Sequence, residues 1–268
     1  MTFASINGAN LYYDDSGTGT PLLFVHAGIA DSRMWDTQVA AFRDHYRVIR
    51  MDLRGYGQST PTNSLYSHRE DVLALMDALS IDQAVLVGCS MSGKMAIDLT
   101  LGQPQRVQAL VVVAARPNGF NPDVPPSLYA ADIAAAEESH DLERLNMLEL
   151  LHWVAGQGRT RADVDPYVWA LASDMNRIAL ENEAQNGEEK PPLDPPAVGR
   201  LHELDVPVLI VCGDRDVPAM VLAADAMEEG IPGARKVILR DAGHLPNMER
   251  PDEFNQALKA FLDEVFAV

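Results

Sequence analysis

Apolar and polar positions fall into two alternating rhythms along most of the chain. Short apolar runs at Leu22 to His26, Tyr46 to Leu53, Ala84 to Val87, Val107 to Ala115, Val206 to Cys212 and Arg235 to Leu239 read as buried strands. Between them, apolar residues return at helical spacing. Met34, Trp35, Val39 and Phe42 form one such stripe, and Val72, Leu73, Leu75, Met76 and Leu79 another, within His68 to Leu79. Met91 to Leu101, Ala219 to Glu229 and Asp252 to Phe266 are further helix-compatible runs. At the start, Phe3 to Ile6 and Asn10 to Asp14 flank Asn7-Gly8, a strong hairpin signal. Strands alternating with helices predict an α/β fold, with a mostly parallel central sheet covered by helices on both faces.

The alternation stops after the sixth strand. Pro117, Pro122, Pro125 and Pro126 break the chain, and only helical patterns follow, at Ser127 to Ser139, Leu142 to Ala155 and Pro166 to Glu183. A Gly-, Pro- and acid-rich linker, Asn186 to Pro196, precedes the return of the strands. The simplest division is a core of residues 1–116 and 200–268, interrupted by a helical cap and linker at 117–199.

Composition narrows this picture only a little. A chain of 268 residues with 47% apolar and 22% charged residues can bury a large core and is ordinary for a globular protein. The net charge of −18 argues against nucleic acid, which needs a basic face. No apolar run approaches the roughly 20 residues of a membrane span, so no membrane partner is expected. Without a charged n-region and apolar h-region at the start, the expectation is no secretion signal and a cytoplasmic location. The two cysteines, Cys89 and Cys212, end apolar runs and read as free buried thiols. No His/Cys cluster has metal-ligand spacing, and neither metal nor organic cofactor is expected. Nothing in the sequence sets the oligomeric state.

The stretch that carries chemistry is Ala84-Val-Leu-Val-Gly-Cys-Ser-Met-Ser-Gly-Lys-Met95. A strand turns straight into a helix here, and such a turn brings backbone close to backbone. Very small flanking residues permit that approach and throw the intervening side chain, Ser90, out at the tip. Ser90 also stands at a helix N-terminus, where free N–H groups favour developing negative charge. A serine hydroxyl needs a base, and that base needs a carboxylate to orient it. Of the seven histidines, only His26 and His244 directly follow strands. His45, His68, His140, His152 and His202 fall on helices or helix ends, where packing or surface roles suit them better. His244 lies between Gly243 and Pro246 in a tight loop after the last strand. The loop after the preceding strand offers two acids, Asp214 and Asp216.

These motifs resemble the α/β-hydrolase family, and the resemblance covers the whole core. Gly88-Cys-Ser-Met-Ser92 is similar to its nucleophile elbow, G-x-S-x-G, with Ser92 where that pattern has glycine. The resemblance implies the chain order Ser, acid, His, and a G-x-x-D spacing that selects Asp216 over Asp214. It implies oxyanion donors at the backbone N–H groups of Met91 and of Gly28 in His26-Ala27-Gly28, where Ala27 replaces a family glycine. Asp52-Leu-Arg-Gly-Tyr-Gly-Gln-Ser59 is similar to the family's D-x-R-G-x-G-x-S loop and reads as structural, as does His26.

The pattern looks like small bacterial carboxylesterases and 3-oxoadipate enol-lactonases. The function it implies is a serine hydrolase of small carboxylic esters, with Ser90, Asp216 and His244 as the triad. Lactone hydrolysis, cofactor-free perhydrolysis with haloperoxidase activity, C–C bond hydrolysis, and a ligand receptor with vestigial turnover are the alternatives. Met147, Leu151, Trp153 and Trp169 are the candidates to roof an apolar substrate pocket, and Arg116 to meet an anionic substrate or anchor the cap.

Overall fold

The computed structural model describes residues 2–267. Eight strands form one sheet in the order β1-β2-β4-β3-β5-β6-β7-β8. They are β1 (Thr2–Ile6), β2 (Ala9–Ser16), β3 (Pro21–Val25), β4 (Arg47–Met51), β5 (Ala84–Cys89), β6 (Val107–Val113), β7 (Val208–Gly213) and β8 (Arg235–Leu239). β1 and β2 pair antiparallel through the Asn7-Gly8 turn, where both residues hold positive φ, +47° and +81°, and β2 joins β4 antiparallel. The other pairings are parallel.

The central strands read as unbroken apolar runs because both of their faces are covered. Leu23 and Val25 of β3 face one layer of helices, while Leu22 and Phe24 face the other. The first layer is built by α2 (His68–Ala78), α3 (Met91–Gly102) and α7 (Pro218–Gly230). On the opposite face, α1 (Asp36–Phe42), the short turn before it and α9 (Pro251–Val265) pack Trp35, Phe42, Phe254 and Phe261 against the sheet. A short α8 (Pro246–Glu249) precedes α9.

Between β6 and β7 the described residues form no sheet strand and three longer helices, α4 (Ala130–Glu138), α5 (Leu142–Glu149) and α6 (Pro166–Glu183). Asp165 starts α6 by accepting the N–H groups of Tyr167 and Val168, with Pro166 in the first turn, where its missing N–H costs nothing. Two boundaries depart from the sequence pattern. α4 begins at Ala130 because Ser127 Oγ takes the Tyr129 N–H and closes a turn first. The single helix predicted over Leu142 to Ala155 changes winding at Leu150, where α5 passes into a π-helical turn, Leu150–Ala155. In that turn the carbonyls of Trp153 and Val154 point outward, to the His244 N–H and the Arg159 guanidinium. No helix among the described residues is long and apolar enough to cross a membrane.

Candidate active site

β5 and α3 are separated by Ser90 alone, which holds φ +54° and ψ −114°. A non-glycine residue pays for such a conformation, so the surrounding structure must impose it. The close approach falls on Gly88 and Gly93. A Cβ on Gly88 would lie 2.4 Å from the Ser92 carbonyl oxygen, and one on Gly93 2.5 Å from Ala115 Cβ. Position 92 is therefore free to carry a side chain. Ser92 is fully buried and its Oγ donates to the His26 carbonyl at 2.5 Å. The Ser90 N–H, in turn, donates to the Val113 carbonyl at the end of β6, 2.8 Å away.

His244 brings its Nε2 to 2.7 Å from Ser90 Oγ, and its Nδ1 lies 2.9 and 3.0 Å from the Asp216 carboxylate oxygens. A carboxylate only accepts, so Nδ1 carries the proton and Nε2 is the acceptor facing Ser90. Asp216 is itself fully buried and accepts the Val217 N–H at 2.7 Å. Gly213 lets the two loops touch, since a Cβ there would lie 2.1 Å from the Ala242 carbonyl oxygen. The Arg215 N–H also donates to that carbonyl. Asp214 is exposed and turns toward Arg215, so of the two acids it is Asp216 that meets His244.

Gly28 and Met91 are neighbours across the mouth of the elbow: a Cβ on Gly28 would sit 3.7 Å from Met91 Cβ. Among the described residues neither backbone N–H has a protein acceptor. The Gly28 loop is braced on both sides. His26 Nε2 accepts the Leu53 N–H at 3.0 Å, its Nδ1 reaches the Ala27 carbonyl at 2.8 Å, and Ser92 holds its carbonyl. Burial pushes the His26 pKa down, in keeping with a neutral ring used as a brace. Below it, Asp52 accepts the N–H groups of Ser32 and Gln58, both at 2.8 Å, and Arg54 forms a fully buried pair with Asp71 at 2.7 Å.

Comparison with known proteins gives the same fold a family. The family described as alpha/beta hydrolase fold matches residues 20–251. The chain belongs to the α/β-hydrolase fold family. It is 31% identical over 266 residues to the dihydrolipoyllysine-residue acetyltransferase component of the acetoin cleaving system of Cupriavidus necator, covering 97% of this chain and 68% of that one. It is 27% identical over 258 residues to a carboxylesterase of Bacillus subtilis, covering 90% and 79% respectively. The crystal structure of an enol-lactonase from Burkholderia xenovorans superposes with a TM-score of 0.77 at 27% identity, covering 97% of this chain and 99% of that one.

In this α/β-hydrolase two cavities are lined by neighbours of Ser90, Asp216 and His244, and neither by those three residues themselves. One, of about 590 Å³, is lined by Trp153, Val217, Arg116, Tyr129, His152 and Arg159. The other, of about 260 Å³, is lined by Gly28, Tyr56, Tyr66, Glu149, Asn176 and Glu183. Trp153 lies against the His244 ring, with centroids 4.4 Å apart, while its carbonyl accepts the His244 N–H at 3.1 Å.

The other predicted roof residues stand elsewhere. Met147 is 40% exposed, on the outer side of α5. Trp169 is buried in the packing of α6, with the Arg161 guanidinium over its ring, and Leu151 packs against the same apolar layer. None of the three lines either of these cavities. Helical spacing marked Trp169 and Leu151 as an apolar face, and that face packs the helices together and onto the sheet, while Met147 faces outward. His152, which the helix pattern sets aside, instead lines the larger cavity and bonds Ser127 Oγ at 2.9 Å. Only the π-helical turn places it there, and no residue type in the sequence announces that turn. Cys89 and Cys212 are buried free thiols whose pKa values are raised by desolvation, which keeps them protonated.

Proposed function

We propose that the protein is a serine hydrolase of small carboxylic esters, with lactones as the alternative substrate class, and that it works through an acyl-enzyme. The observation that carries this reading is the unbroken chain from Ser90 Oγ through His244 to buried Asp216. Ser90 attacks the ester carbonyl while His244 Nε2 takes its proton, and Asp216 holds the imidazolium that forms. The negative charge that develops on the carbonyl oxygen is met by the N–H groups of Gly28 and Met91. His244 then protonates the leaving alkoxide. A water molecule, deprotonated by the same Nε2, attacks the acyl-enzyme and releases the acid. Every proton in this cycle moves through His244, so no step calls for a metal or organic cofactor. Residues 117–199 act as the cap, with the segment around Trp153 tied to both triad loops. The carboxylesterase and enol-lactonase relatives support the choice of esters and lactones.

The test is a rate panel of p-nitrophenyl esters of increasing acyl length beside γ- and δ-lactones, run on the wild type and on Ser90→Ala. Saturable hydrolysis that falls by ~10³-fold or more in Ser90→Ala is the expected result. Equal rates in the two proteins, or no hydrolysis of any member, overturn the reading.

A further inference from the structure

The two cavities, one lined by Trp153 against the His244 ring and one by Gly28, differ in charge. In a chain whose 39 acidic residues outnumber its 21 lysines and arginines, the larger cavity has no Asp or Glu in its lining. It holds Arg116, Arg159 and His152 instead. Arg159 is already spent: its guanidinium is paired with Glu249 at 2.7 Å and bonds the carbonyls of Val154, Ala155 and Asp241. His152 has its pKa pushed down by burial and is a neutral hydrogen-bonding group there. Arg116 is different. Among the described residues it makes no hydrogen bond or ion pair with any protein group, and it leaves β6 three residues past Val113, whose carbonyl holds the Ser90 N–H. The smaller cavity is the reverse, with Glu149 and Glu183 in its wall and no lysine, arginine or histidine. Of the two linings, only the one with Trp153 offers an unpaired cationic side chain to an anion.

We propose that the substrate is a monoanionic ester or lactone carrying a carboxylate, seated in the larger cavity with that carboxylate on Arg116. The proposal rests on the serine-hydrolase reading and adds the charge and direction of the substrate. The walls formed by Trp153, Val217 and Met220 take the apolar linker between carboxylate and scissile bond. Arginine suits this task because its planar fork can engage both carboxylate oxygens at once. Since Arg116 is exposed, water and salt weaken the contact, and its effect belongs in the range of a few-fold.

The experiment compares kcat/KM for matched neutral and anionic esters, such as diethyl and monoethyl glutarate. A second pair carries the carboxylate on the alcohol portion. The proteins are wild type, Arg116→Gln and Arg116→Lys, each at low and high salt. The expected result is an anion-to-neutral ratio that drops about three- to fivefold in Arg116→Gln. Rates on the neutral partners should be unchanged, Arg116→Lys should recover part of the ratio, and the wild-type ratio should fall as salt is added. A ratio that is the same in wild type and Arg116→Gln while neutral esters are still hydrolysed overturns the charge proposal alone. Failure to hydrolyse any ester overturns the serine-hydrolase reading beneath it.

Discussion

The loops at the strand ends and the helical segment between β6 and β7 are built under different constraints. At the strand ends, backbones approach to within contact distance, and single residue types are dictated position by position. Gly88, Gly93 and Gly213 each stand where a Cβ would fall inside 2.6 Å of another atom. In the helical segment, the requirement is only that an apolar face meets another, and many sequences satisfy it equally. The first kind of constraint writes itself into short motifs, whereas the second leaves a periodicity that says which face is buried but not what lies beneath it.

Substitutions can break or sharpen this contrast, and the largest effects are expected at the strand ends. Ser90→Ala should remove ~10³-fold or more of the turnover while leaving the thermal transition within a few degrees of wild type, read by steady-state rates and calorimetry. Asp216→Asn should follow at ~10²–10⁴-fold, because an amide no longer holds the Nδ1–H tautomer of His244. Asp214→Asn, on the exposed side of the same loop, should stay within twofold. If Asp214→Asn carries the loss instead, the acid has been misassigned.

Ser92 separates size from chemistry at the elbow. Its hydroxyl links the helix behind Met91 to the loop that carries Gly28, through the His26 carbonyl. Ser92→Ala and Ser92→Gly should therefore behave alike, each losing ~1–3 kcal/mol of stability in urea titration and several-fold in kcat with little change in KM. A gain in stability for Ser92→Gly would show that the side chain crowds the turn. Smallest of all, Met147→Ala on the outer face of α5 should leave kcat/KM unchanged and stability within about 0.5 kcal/mol. A tenfold loss there would mean that the helical segment contributes to the site by a route other than the Trp153 turn.

The sequence made the sheet and the meeting of Ser90, His244 and Asp216 legible for the same reason. Parallel strands buried on both faces must be nearly all apolar, and the polar residues that matter then stand at their C-terminal ends. Ser92 was visible as an oddity, but not its outcome, because the glycine requirement had moved to Gly93 and only three-dimensional contact shows which carbon is crowded. The cavity beside Trp153 was much less legible. Arg116, which leaves a strand end, lines it, as does Trp153, yet Met147, Leu151 and Trp169, chosen like Trp153 on helical spacing, do not. His152 joins them because α5 unwinds into a π-helical turn where His244 and Arg159 take its carbonyls, a tertiary event that no local pattern encodes.

The most direct test of the central claim is covalent capture of the nucleophile. Wild-type protein treated with a fluorophosphonate should gain one adduct by intact-mass spectrometry, mapped by peptide sequencing to Ser90, and Asp216→Asn should acquire it far more slowly. An adduct that maps to Ser92 or elsewhere, or no adduct on folded protein, would contradict the assignment of Ser90 as a nucleophile activated by His244 and Asp216.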